Sequence, residues 1–298
     1  MRILIVGAKG FIGSHFVDYF NSKGDEVFKV ISSGIASNTT FLVNQLDPDF
    51  HSILDSNYFD LIINASGSKG VGFSWENTEE DHKLNVVVNQ KLLQAVLDSG
   101  QNPKIIHFSS AAVYGNPQEL PIKESFEPAP ISPYGFHKLQ AENLMQEYAR
   151  LYNLNTVSLR VFSVYGPGLR KQLLWDVYQK LMAAKDGEII LYGTGKESRD
   201  FIFIDDLVFA VQQIIQKGEF TGRAYNVANG IEVSIHELVE KYLSNFSKKV
   251  ELKFGGEMKK GDPVNWRADI SSLSELGYQP KIEIEEGLQS YSKWIENA

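Results

Sequence analysis

Tyr134 and Lys138 stand four residues apart in Tyr134-Gly135-Phe136-His137-Lys138, so a helix there presents both side chains on one face. A free phenol has a pKa of about 10 and is a poor base at neutral pH. An ammonium beside it favours the phenolate, and the two together can move a proton at a hydroxyl-bearing carbon. The spacing alone is common in helices. It gains meaning from His107-Phe108-Ser109-Ser110, which closes a predicted strand at the end where open α/β sheets bind ligands.

A second pattern opens the chain. In Gly7-Ala8-Lys9-Gly10-Phe11-Ile12-Gly13 three glycines step by three, directly after a strand and at the threshold of a helix. The turn needs residues tolerant of unusual backbone angles. A pyrophosphate needs the backbone bare, and the helix start offers it unpaired N–H groups and a partial positive charge. Gly7, Gly10, Phe11, Ile12 and Gly13 are therefore expected to bind a dinucleotide. The second strand ends Val30-Ile31-Ser32-Ser33, without the acid that grips the ribose of NAD and without the neighbouring arginine that favours NADP. Ser32 and Ser33 are the candidate contacts at that ribose or its 2′-phosphate, and the choice between NAD and NADP stays open.

The elements that must position these residues alternate between short β-branched runs and longer helical patterns, the signature of a doubly wound parallel sheet. Arg2–Val6, Glu26–Ile31, 59–64, 104–109 and 156–161 read as strands; Phe11–Ser22, 78–97 and Pro133–Tyr152 read as helices. Pro133 suits the first turn of its helix, where a missing N–H costs nothing. After about residue 163 the rhythm loosens, with a helix at 173–184, a strand at 189–192, and strand 201–204 with helix 205–216 returning to the earlier style. The expected fold is α/β: a Rossmann domain over 1–163, rejoined by 200–227, and a smaller α/β substrate-binding lobe over 164–298.

Composition narrows the function. A chain of 298 residues has room for two cores, or for one large sheet with an addition, and its 43% apolar and 22% charged content is ordinary for a globular protein. The net charge of −8 argues against binding nucleic acid or an anionic membrane. There is no cysteine, hence no disulfide, thiolate metal site or cysteine nucleophile. The six histidines form no ligand spacing, so no metal is expected. His107 and His137 read as structural. No run is long and apolar enough to span a bilayer, and the expected location is the cytoplasm.

The glycine turn, Ser-Ser-Ala-Ala-Val-Tyr-Gly at 109–115 and Ser132-Pro133-Tyr134-Gly135-x-x-Lys138 recur with Leu159-Arg160-Val161-Phe162-Ser163-Val164-Tyr165-Gly166-Pro167. Arg199-Asp200-Phe201-Ile202-x-Ile204-Asp205-Asp206-Leu207 and Gly261-Asp262-Pro263 follow. In these motifs the chain resembles, over its whole length, the extended short-chain dehydrogenase/reductase family, in particular nucleotide-sugar epimerases of the UDP-galactose 4-epimerase type. The resemblance implies NAD or NADP as cofactor, a nucleotide-diphosphate sugar as substrate and a homodimer paired through the helices at 78–97 and 133–152. It makes Tyr134 the general acid/base and Lys138 the residue that holds the nicotinamide ribose and lowers the tyrosine pKa. Ser110, rather than Ser109, would bond the reacting sugar oxygen. Asn85 and Lys69 would lie at the cofactor, Arg199 would clamp the diphosphate, and Lys259 or Lys260 would add a second cation. Ser163 stands where epimerases carry an asparagine that touches the substrate phosphates.

Within that family, dehydration needs an acid/base pair just after the serine, and Ala111 and Ala112 hold those positions. Combined 3,5-epimerase/reductases use a cysteine, which is absent. The expected activity is an NAD(P)-dependent nucleotide-sugar epimerase acting by transient oxidation at a carbinol, C4 by preference. The alternative is an NADPH-dependent 4-keto-sugar reductase. A non-catalytic Rossmann module that senses cofactor is a third reading, and the intact Ser, Tyr and Lys set speaks against it.

Overall fold

The computed structural model describes residues 1–298 apart from Lys69, Asp186, Met258, Lys259 and Ala298. Strands β1 (Arg2–Val6), β2 (Glu26–Ile31), β3 (Thr40–Leu42), β4 (Leu61–Asn64), β5 (Lys104–Ser110) and β6 (Asn155–Val161) run in the first half. Strands β7 (Ser163–Tyr165), β8 (Glu188–Leu191), β9 (Ser198–Phe203), β10 (Thr221–Val227), β11 (Glu232–Ser234) and β12 (Glu251–Phe254) follow. Seven of these form one sheet in the order β10-β6-β5-β4-β1-β2-β3, every pair parallel. The order reverses between β1 and β4, which opens a crevice at their carboxyl ends.

Ile3, Leu4, Ile5 and Val6 are all buried because both faces of the sheet are covered, which is why the strand reads as a continuous apolar run. Ile3 and Ile5 join the core under α1 (Phe11–Ser22) with Phe16 and Phe20. On the other face Leu4 and Val6 join Ile53 and Leu54 of α2 (His51–Ser56). Beyond α3 (Val71–Glu76) and α4 (Thr78–His82), α5 (Val88–Asp98) adds Leu92 and Val96 to that core, and α6 (Pro133–Tyr152) adds Met145. Each fully buried aliphatic or aromatic side chain stabilises the sheet by about 1.5–3 kcal/mol.

Ser132 caps α6, accepting from Gly135 N at 3.1 Å, and Asn153 ends it in the left-handed conformation. These caps set which residues of the 20-residue helix face the sheet. The helix predicted over 78–97 is present but not uniform. Between α4 and α5 lies a π-helical turn over residues 83–87, with Asn85 in it. Such turns cluster at functional sites.

The smaller lobe holds α7 (Gln172–Ala183), α9 (Ile235–Leu243), α10 (Ser271–Glu275) and α11 (Ile284–Asn297), the pair β8–β12, and a sheet ordered β11-β9-β7. Helix α8 (Ile204–Lys217) packs on α1, and β10 lies beside β6 in the large sheet. Residues 200–203, grouped with the large sheet from the sequence, lie instead in β9. Its edges are taken by β7 and antiparallel β11, so it cannot also pair with the large sheet. Among the described residues no helix is long and apolar enough to cross a membrane.

Candidate active site

Tyr134 meets Ser110 because α6 sits directly on the 3₁₀ turn over 111–114 that follows β5. A Cβ at Gly135 would lie 2.5 Å from the Ala112 carbonyl oxygen, so only glycine permits that approach. Ser110 caps the turn, accepting from Ala112 N at 3.2 Å, and its hydroxyl is close enough to the Tyr134 phenol to favour the phenolate. Ser109, one step earlier on the strand, faces the other way. Its hydroxyl donates to Glu142, which pairs with Arg160 at 2.8 Å, and Arg160 in turn donates to Tyr114 Oη at 2.9 Å. Of the two serines, Ser110 is the one at the phenol.

Lys138 lies on the same face of α6, 4% exposed, its Nζ donating to the Phe108 carbonyl at 2.8 Å and standing 5.7 Å from the centre of the Tyr134 ring. Burial pushes the phenol up to about 12, against the pull of the Ser110 hydrogen bond and aided by the Asp81 carboxylate. Burial also brings the ammonium down to about 8, with Asp81 opposing and Lys171 assisting that fall. The phenol is raised overall, whatever the ammonium contributes. Desolvation outweighs an ammonium whose nearest partner is a carbonyl.

The crevice floor is an amide network. Asn64, ending β4, donates to Asn89 Oδ1 at 2.8 Å and accepts from Ser66 N at 3.1 Å; Asn89 donates to the Asn85 carbonyl at 2.6 Å. Asn85 Nδ2 donates to Ser68 Oγ and to the Asp81 carbonyl, while its buried Oδ1 has no hydrogen-bond partner among the described residues. A Cβ built on Gly67 would lie 3.1 Å from that Oδ1 and 3.2 Å from Lys138 Nζ. A buried unpaired acceptor next to an ammonium, beside a glycine, suits the ribose and amide of a dinucleotide. The first turn of α1, begun by Gly10 without a side-chain cap, suits its pyrophosphate. Ser32 and Ser33 are exposed at the end of β2. The residues present fit the group. Lys69 and Lys259 lie outside the described residues.

Arg199, on β9, is in the neighbouring lobe. Its Nη1 donates to the carbonyls of Ser198 and Val264, and its guanidinium stacks 5.5 Å from the Trp266 ring. Trp266 Nε1 bonds the Gly115 carbonyl at 3.0 Å, tying that wall to the turn after Ser110. Ser163 is partly buried on β7. Lys260 lies over the Trp75 ring at 3.7 Å.

Several groups had no separate signal in the sequence. His137 Nδ1 is 2.5 Å from Asp81 Oδ2, a buried pair beneath the catalytic helix, and Ser68 also donates to Asp81. His107 is fully buried and held neutral by burial and by nearby Lys138. Lys171, in the loop before α7, is exposed and has no hydrogen-bond or ion-pair partner among the described residues. That loop crosses the start of α1, since a Cβ at Gly168 would touch Phe11 and His15. Gln172 next to it has a strained φ of 67°. Lys171 is a cation close enough to Lys138 to add to the lowering of its pKa. A cavity of about 830 Å³ lies elsewhere, lined by Lys123, Glu142, Arg160 and Arg223, and no member of the Ser110–Tyr134–Lys138 cluster lines it.

Glu142 and Arg160 are 6% and 7% exposed, so Glu142→Ala would leave a buried guanidinium uncompensated. It is expected to cost about 3–5 kcal/mol of stability. Urea unfolding measures this, and a cost below about 1 kcal/mol would mean that water reaches Arg160.

Fold and cluster together define an enzyme of extended short-chain dehydrogenase/reductase type. Residues 3–228 match the NAD dependent epimerase/dehydratase family, and the chain belongs to that family. A putative UDP-glucose 4-epimerase of Methanocaldococcus jannaschii is 28% identical over 99% of this chain and 98% of its own length. A UDP-glucose 4-epimerase of Mycolicibacterium smegmatis is 29% identical over 100% and 99%. Among solved structures, a UDP-glucuronic acid 4-epimerase from Bacillus cereus, in complex with UDP-glucuronic acid and NAD, matches with a TM-score of 0.89. It is 26% identical over 100% of this chain and 99% of that one.

Proposed function

We propose that the protein is an NAD(P)-dependent epimerase of nucleotide-diphosphate sugars that inverts a sugar carbinol, C4 by preference. The observation that carries this reading is the meeting of Ser110 and Tyr134 beside Lys138 and the unpaired Asn85 Oδ1, with no carboxylate following Ser110. Full-length relatives named as UDP-sugar 4-epimerases support it.

Gly7 to Gly13, Asn85 and Lys138 would hold the dinucleotide, whose nicotinamide supplies a two-electron acceptor for the carbinol hydrogen and, when oxidised, a positive charge beside the phenol. Ser110 Oγ orients the sugar hydroxyl. Tyr134 Oη takes its proton as the carbinol becomes a carbonyl and returns it when the other face is reduced. Lys138, with its ammonium facing Gly67, steadies the phenolate while it is charged. With Ala111 and Ala112 next in sequence, no group protonates a neighbouring hydroxyl, so water is not eliminated.

The reading is tested by following UDP-glucose, UDP-glucuronic acid and their N-acetylated relatives by NMR in heavy water. Inversion at C4 without solvent deuterium at that carbon is expected, because the hydrogen removed is the one returned. Consumption of one reduced dinucleotide per turnover on a 4-keto sugar would replace the epimerase by a ketoreductase.

Nε and Nη2 of Arg199 make no hydrogen bond among the described residues and can serve the diphosphate, in a chain whose net charge of −8 otherwise repels it. Arg199→Ala is expected to raise KM for the nucleotide sugar roughly 10- to 150-fold. Steady-state kinetics checks this. An unchanged KM would place the phosphates elsewhere.

A homodimer belongs to the same reading, supported by the apolar surface that Phe136, Leu151 and Tyr152 leave on α6, at 54%, 68% and 45% exposure. Sedimentation finding only monomer would remove it. A cytoplasmic location fits a cysteine-free chain, and recovery in a membrane or secreted fraction would contradict it.

A further inference from the structure

The glycine turn and the end of β2 are stitched together: Gly7 N and Ala8 N both donate to the Val30 carbonyl, at 3.1 and 3.3 Å. Two residues later Lys9 reaches across this seam, and its Nζ donates to the Ser33 carbonyl at 2.8 Å. A Cβ at Gly34, whose φ is +123°, would lie 2.5 Å from that Nζ, so the glycine leaves the room the ammonium occupies. In this fold the adenosine ribose lands at the end of the second strand. A carboxylate there would accept from both ribose hydroxyls, but position 31 is isoleucine, 5% exposed and packed into the core. No charged residue stands between Lys29 and Asp47 along the chain.

We propose that Lys9, Ser32 and Ser33 form a 2′-phosphate site that makes this chain prefer NADP(H) to NAD(H). The inference rests on the dinucleotide-dependent reading above. The ammonium has two hydrogens left after its bond to Ser33, and the serine hydroxyls are exposed beside it as further donors. A phosphate carrying close to two negative charges gains from this cation. A bare ribose hydroxyl meets no acceptor of comparable strength.

The test is calorimetric titration of the full chain, freed of co-purified dinucleotide, with NADPH, NADH, 2′-phospho-ADP-ribose and ADP-ribose. The phosphorylated member of each pair is expected to bind at least about tenfold tighter. Lys9→Ala is expected to weaken NADPH by about 10- to 100-fold while moving NADH by less than about threefold, and Lys9→Arg to keep the preference. Thermal melting of Lys9→Ala checks that the exposed substitution leaves the fold intact. NADH binding as tightly as NADPH to the wild type overturns the proposal. So does an equal loss for both in Lys9→Ala, which would assign the lysine to the shared pyrophosphate. If neither dinucleotide binds, the dinucleotide reading itself falls, and this inference falls with it.

Discussion

Replacing Tyr134 by phenylalanine is expected to lower kcat by about 10²–10⁴-fold while leaving dinucleotide and nucleotide-sugar affinities within about threefold. The ring, its packing on the 3₁₀ turn and the Lys138 contact all survive the change. Only the atom that carries the proton is lost. Burial pushes the phenol up to about 12, so it ionises little below pH 10. Binding an oxidised nicotinamide beside it should pull that pKa down, since a nearby positive charge favours the phenolate. Difference absorbance of the phenolate should therefore show one tyrosine whose titration moves to lower pH on binding oxidised dinucleotide, and that signal should vanish in Tyr134→Phe. Turnover retained within about tenfold, which is about 1.4 kcal/mol of barrier, would remove Tyr134 from the reaction.

Lys138→Met is expected to act in opposite directions on function and stability. Turnover should fall by about 10²-fold or more, and dinucleotide binding should weaken, because the ammonium facing Gly67 is gone. The fold should become more stable by about 1–3 kcal/mol at neutral pH, because a buried charge no longer has to be desolvated. The sign in pH follows from the depressed ammonium, about 8 in the folded chain against 10.5 as its ordinary value. Between those two values the unfolded chain binds more protons, so wild-type stability rises with pH there and the advantage of the methionine variant shrinks. Urea unfolding of both proteins at pH 7 and pH 10 measures this. A variant less stable than wild type at pH 7 would show that the bond from Nζ to the Phe108 carbonyl outweighs the burial of the charge.

The two predictions share a physical theme. The site keeps a phenol and an ammonium in their neutral-leaning environments until a ligand supplies the missing charge and hydrogen bonds. Asn85 Oδ1, buried and unpaired, is part of the same arrangement. A ligand that supplies that charge and those hydrogen bonds couples cofactor affinity to the catalytic pKa values.

Much of the molecule was legible from one-dimensional pattern, because the signals involved are local. Short β-branched runs marked β1, β2 and β6 as strands of a sheet covered on both faces, and a serine followed by proline marked the start of α6. The short strands β3, β7, β11 and β12 were not read. At three or four residues each, they carry too little periodicity to register. The π turn at Asn85 was hidden for a related reason: its residues have ordinary helical character. The side chains of Asn85 and Asn89, bonding to carbonyls four residues back, accompany the departure from α geometry.

The sequence by itself determined the phosphate turn, the helical spacing of Tyr134 and Lys138, and the absence of an acid at the end of β2, all of which are properties of neighbouring residues. Only the tertiary structure decided which serine serves the phenol, because the Glu142 that engages Ser109 is 33 residues away on another element. It also paired His137 with Asp81 across 56 residues and set Lys9 against Ser33 across 24. The direction of the tyrosine pKa belongs to the same class. It depends on how much protein surrounds the hydroxyl, and desolvation is a sum over everything the fold packs around a group, which no spacing along the chain records.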